Sequence, residues 1–84
     1  MKRIAVIGVV LENPKDNQDE FNRIVAAFND IIKGRMGLPF QEESISVISL
    51  TAVAEMDKIN SLTGQLGKIP DISVKTAVSK REII

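Results

Sequence analysis

Apolar residues fill seven of the nine positions across 3–11, and a strand built from them is apolar on both faces. Ile4, Val6 and Val10 lie on one side and Ala5, Ile7, Val9 and Leu11 on the other. Such a strand needs cover front and back. Glu12-Asn13-Pro14 then ends the extended run, with Asn13 a candidate N-cap and Pro14 at the first helical position; Asn17 with Glu20 three residues later is a competing capping box. Phe21, Ile24, Val25 and Phe28 follow the spacing of one helical stripe, with Asp19, Asn22 and Arg23 on the wet side. Ile31 and Ile32 continue that stripe and Gly34 offers a C-cap, but a second strand has to fit before Pro39. The expected helix therefore ends near Asn29 and the strand covers 31–38. Residues 39–44 read as a polar turn into a β-branched strand over 45–52, paired as a hairpin with the strand before it. Ile45 and Val47 face one way there, and Ile48 and Leu50 the other. Asp57 is a candidate cap for a second helix bearing Ile59, Leu62 and Leu66, and Gly67, Ile69 and Pro70 mark its stop. Ile72, Val74, Thr76 and Val78 alternate with Ser73, Lys75 and Ala77 in a half-buried last strand. The expectation is one domain over 1–79, with residues 80–84 a fraying tail.

This order, βαββαβ, folds through right-handed crossovers into an α+β ferredoxin-like sandwich: a four-stranded antiparallel sheet with both helices on one face. The first and third strands are central in that topology, and they are the two with apolar residues on both faces. Helices cover one face only. Each Val, Ile or Leu left in water on the other forgoes about 1.5–3 kcal/mol relative to burial, so a homo-oligomer built through sheet faces is expected.

Composition narrows the chemistry. Eighty-four residues make one small domain that buries only about 60% of its unfolded surface, so association also helps its stability. There is no Cys, His, Trp or Tyr. This excludes disulfides, thiolate-held iron–sulfur clusters and His-ligated zinc, nickel or copper, and no cofactor is expected. Eleven basic and eleven acidic side chains cancel, so neither direct nucleic-acid binding nor attraction to a membrane surface is expected. The apolar run after Met1-Lys2-Arg3 is too short and β-branched for a spanning helix and has no small-residue cleavage site, which makes a cytoplasmic protein the expectation.

Four segments carry a resemblance over nearly the whole chain, to about Ser79: Gly34-Arg35-Met36-Gly37-Leu38-Pro39, Ile45-Ser46-Val47-Ile48-Ser49-Leu50, Leu62-Thr63-Gly64-Gln65-Leu66-Gly67 and Val74-Lys75-Thr76. Together they resemble the iron-only hydrogenase system regulator family. The resemblance implies an ACT-like ferredoxin fold, similar to the C-terminal ligand-binding domain of the nickel-responsive repressor, and a regulatory role in the iron-only hydrogenase system. The His and Cys ligands of that repressor's square-planar nickel site have no counterpart in this sequence, so the nickel site does not carry over. Nor is there a ribbon-helix-helix segment, so an effect on transcription would require a protein partner or a basic surface.

Five residues are candidates for binding a small-molecule effector. Asn13 lies in the turn that borders the effector pocket of ACT-like domains, although ordinary capping explains it equally. Arg35 offers a planar fork for a carboxylate or phosphate, and Gly37 lets a ligand come close; a rim salt bridge from Arg35 to Glu42 or Glu43 is the plainer alternative. Gly64 sits inside the second helix, where close packing or a ligand would account for it. Lys75 can meet an anion or simply guard an edge strand. Glu42-Glu43 has no neighbouring base or third ligand and reads as a solvated turn. Catalytic residues are not evident, and the first loop lacks the glycines of a phosphate cradle. The expected protein is a non-enzymatic, oligomeric regulatory module binding a ligand or protein partner at subunit interfaces. A ligand-free adaptor and a small ferredoxin-fold enzyme are the rivals.

Overall fold

The computed structural model describes residues 1–83. Strand β1 (Arg3–Glu12) enters first, followed by helix α1 (Pro14–Ala27), strands β2 (Ile32–Phe40) and β3 (Ile45–Ala54), helix α2 (Met56–Leu66) and strand β4 (Ile72–Val78). The sheet order is β2-β3-β1-β4 and every neighbouring pair is antiparallel. This is the ferredoxin-like βαββαβ sandwich expected from the pattern, with β1 and β3 in the middle.

The two faces differ sharply. Ala5, Ile7, Val9 and Leu11 of β1 and Ile48, Leu50, Ala52 and Ala54 of β3 are buried beneath the helices. They meet Phe21, Ile24 and Val25 from α1 and Ile59, Leu62 and Leu66 from α2 in one core cluster. No polar or charged side chain is buried among the described residues. The alternate positions point the other way, onto a face that no element among the described residues covers.

Element boundaries depart from the sequence reading where apolar period and chain direction disagree. Helix α1 stops at Ala27, before Asn29, because the chain turns through Phe28 and the Ile31 carbonyl already accepts from the Val53 amide on β3. β2 starts at Ile32, with a bulge before Gly34, and runs on through Pro39 to Phe40. Proline is tolerated there because β2 is an edge strand. The polar turn shrinks to one 3-10 turn, Gln41–Glu43.

Helix α1 starts at Pro14 with Asn13 as its N-cap, as expected, but without a side-chain cap bond, and the competing capping box does not form. Asn13 occupies the cap position in the left-handed region (φ 49°). Instead of closing a capping box, Asn17 donates from Nδ2 back to the Glu12 carbonyl at 2.9 Å. The cap of α2 is Glu55, so Asp57 lies inside the first turn, accepting from the Lys58 amide. The segment after Ser79 is also tied down as far as it is described: Lys2 and Ile83 exchange backbone hydrogen bonds of 2.9 and 2.6 Å, and the Ile4 amide donates to Ser79 Oγ. Ile84, the last residue of the expected tail, lies outside the described residues.

Candidate functional site

Two connections meet at one end of the sheet. The β1–α1 turn passes through Asn13 and the β2–β3 turn ends at Ser44, both left-handed, and the Asn13 amide donates to the Ser44 carbonyl oxygen at 2.9 Å. Beside this clasp opens a cleft of about 570 Å³. Its wall combines the start of α1 (Pro14, Lys15, Asp16, Gln18) with Pro39, Gln41, Ser44 and Ser46 from the hairpin. Polar groups and the apolar surface of its prolines and side-chain stems share the lining about equally, a surface that can take a small ligand with both polar and apolar parts.

A second hollow of about 240 Å³ adjoins the first, sharing Gln18, Pro39 and Ser46. Arg35 and Gly37 line it from β2, against Phe21 and Asn22 of α1. Arg35 does not reach Glu42 or Glu43. Its Nη2 donates to Asn22 Oδ1 at 2.9 Å and its guanidinium carbon lies 5.4 Å from the centre of the Phe21 ring. Arg35 and Leu50 are cross-strand partners, so the arginine emerges on the helix side of the sheet, where α1 is the surface it can meet. The guanidinium is held but keeps donors free on its exposed side.

The other two candidates stand apart. Gly64 is exposed on α2 and a Cβ there would meet nothing within 4 Å, so the close packing expected of it is absent within the protomer. Lys75 lies opposite Gly8 on the uncovered sheet face. The structure thus brings Asn13, Arg35 and Gly37 to one continuous groove and separates Gly64 and Lys75 from it. Gln18, Ser44 and Ser46 line the groove without having been singled out by sequence, because nothing in a lone Gln or Ser advertises a role. Among the described residues there is no cluster of three or more His, Cys, Asp or Glu, and no helix long and apolar enough to cross a membrane.

Comparison with known proteins places this architecture. The profile of the TM1266-like family, described as "Iron-only hydrogenase system regulator, putative", matches residues 3–76, from the first residue of β1 into β4. The chain belongs to this family. Among solved structures, protein TM1266 from Thermotoga maritima superposes with a TM-score of 0.90 at 31% identity, covering 95% of this chain and 100% of that one. SnoaB, a cofactor-independent oxygenase from Streptomyces nogalater, gives a TM-score of 0.57 at 11% identity over 100% of this chain and 97% of that one, a likeness of fold alone. No curated protein matches the chain.

Proposed function

We propose that this chain is a non-enzymatic regulator in the iron-only hydrogenase system, working as a homo-oligomer that a second copy completes by covering the open sheet face. The observation that carries the reading is the placement of the exposed large apolar side chains. Besides Met1 they are Ile4, Val6, Met36, Leu38 and Phe40, and cross-strand pairing puts all five on the face away from the helices. Few monomeric domains leave so much contiguous apolar surface in water. The groove at Asn13, Arg35 and Gly37 is the place for a small effector or a partner's side chain. Regulation is then a population shift, in which a ligand favours the arrangement of protomers it binds more tightly.

The test is Val6→Lys. Val6 is 48% exposed, so the change spares the core and strikes only what covers the face. Sedimentation equilibrium is expected to show the natural chain associated and the variant monomeric with an unchanged circular dichroism spectrum. A natural chain that stays monomeric at millimolar concentration overturns the reading. Thermal melts against a panel of metabolites then separate an effector-binding regulator, whose melting temperature rises with ligand, from a ligand-free adaptor.

A further inference from the structure

One residue of the open face is unexplained by the protomer. Gly8 sits mid-strand in β1, between Ser49 of β3 and Lys75 of β4. Its φ is not positive, and a Cβ there would meet only the Lys75 carbonyl oxygen at 3.8 Å, an ordinary contact. Glycine inside a central strand weakens it and commonly marks a close approach by something else. Nothing among the described residues makes such an approach on the open face.

The open side of the same strand reads Lys2, Ile4, Val6, Gly8, Val10, Glu12, basic at one end and acidic at the other. Neither Lys2 nor Glu12 belongs to an ion pair among the described residues. Lys2 is held in line with the strand by its backbone pairing with Ile83. A two-fold axis lying between stacked sheets and running across the strands at Ile7 reverses this row onto itself. Lys2 then faces the partner's Glu12, Ile4 faces the partner's Val10, and Val6 enters the gap over the partner's Gly8. The charges and the knob-and-gap pair locate the same centre independently, since residue 7 lies midway both between 2 and 12 and between 6 and 8. Leu50 is the cross-strand partner of Ile7, so on β3 the same axis sets Val47 against the partner's Val53.

The alternative axis, parallel to the strands, keeps each cross-strand row and exchanges β1 with β3. It lays Glu12 over the partner's Ile45 and Lys75 over the partner's Met36, removing two charges from water with no counter-charge. With the axis across the strands, Lys75 instead crosses the partner's Ala77 on edge strand β4, where its stem covers apolar surface and its ammonium reaches solvent. A face of four strands at about 4.8 Å spacing and about 33 Å in length offers roughly 600 Å² per protomer, at the lower end of what specific dimers bury.

We propose that two copies of this chain stack their open faces as an isologous dimer about a two-fold axis crossing β1 at Ile7, with Val6 of each seated on Gly8 of the other and Lys2 facing Glu12. The proposal rests on the reading that a second copy covers this face, and it adds the register. Stacked sheets cross at about 30°, so the fit is tightest at the axis and the long charged side chains take up the offset at the ends.

Sedimentation equilibrium and thermal melts of the full chain test it. At a dilution where both chains are monomeric, Gly8→Val is expected to melt at or above the natural chain's temperature, while its dimer dissociation constant rises at least about ten-fold because the gap is filled. Lys2→Glu and Glu12→Lys each weaken the dimer by about ten-fold at low salt, through two symmetry-related pairs. The double exchange, which restores opposite charges, returns the constant to within about three-fold of the original. A Gly8→Val chain that dimerises as tightly as the natural one, or a double exchange as weak as the single changes, overturns the register. If Val6→Lys still abolishes association in that case, the covered-face reading survives without it. Should Gly8→Val fail to fold, the charge exchange decides alone.

Discussion

Asn13 and Ser44 hold each other in left-handed backbone: φ is 49° at one and 55° at the other, and the amide of Asn13 reaches the carbonyl oxygen of Ser44 across 2.9 Å. Asparagine tolerates that region; serine does so less well, and a β-branched residue poorly. Ser44 is exposed, so a substitution there changes backbone strain with little change in packing. Ser44→Val is expected to cost about 1–2 kcal/mol and to lower the melting temperature by roughly 5–15 °C. Ser44→Gly should melt within a few degrees of the natural chain. Circular dichroism melts of both variants check it, and equal melting of Ser44→Val and Ser44→Gly would remove strain as the explanation.

Gly64 gives a prediction of opposite sign. It occupies an exposed helical position where a Cβ meets nothing within 4 Å, so alanine should add about 0.8–1.0 kcal/mol of stability through helix propensity. For a domain of this size that raises the melting temperature by about 4–8 °C. A drop on Gly64→Ala would mean that the glycine serves a contact beyond the protomer.

Arg35 is held by two weak interactions, the bond to Asn22 Oδ1 and the face of Phe21. Arg35 and Asn22 are exposed, which keeps both interactions modest, so Arg35→Ala should cost about 1 kcal/mol, measured as a shift in the urea midpoint at unchanged slope. Arg35→Lys should recover little of this, since an ammonium cannot lie flat on the ring while donating sideways to Asn22. If Arg35 also contacts an effector, Arg35→Ala removes that ligand's thermal shift by far more than its own small cost in stability implies.

How much of this was legible depended on whether local pattern and chain direction agreed. β4 alternates strictly from Ile72 to Val78, and its bounds read directly from the sequence. The apolar pattern of β1 likewise named both faces, because Ile4 and Val6 are exposed where Ala5 and Ile7 are buried. The end of α1 did not read so well. Ile31 and Ile32 keep the helical period, yet the backbone has turned by Phe28 so that Ile31 can pair with β3. The groove was half visible: Asn13 stood out beside a proline, and Arg35 and Gly37 by residue type. Gln18, Ser44 and Ser46 join them only through the way the hairpin lies against α1, a tertiary relation that no local spacing encodes.

Leu38 and Leu50 test the two faces of the sheet against each other. Leu50 is fully buried beneath the helices, whereas Leu38 is 56% exposed on the open face. Truncating a buried leucine loses its transfer energy and leaves a cavity, so Leu50→Ala should cost about 2–5 kcal/mol. Leu38→Ala removes side chain that the protomer does not bury, so the monomer's unfolding free energy should change by about 0.5 kcal/mol or less. If a second copy covers that face, Leu38→Ala instead weakens association, and the apparent melting temperature becomes less sensitive to protein concentration. Denaturant titrations at two concentrations a hundred-fold apart separate the two effects. Leu50→Ala should shift both curves equally, and Leu38→Ala should act only at the higher concentration. A Leu38→Ala cost as large as that of Leu50→Ala at high dilution would mean that Leu38 is packed within its own chain, and the open face would no longer be open.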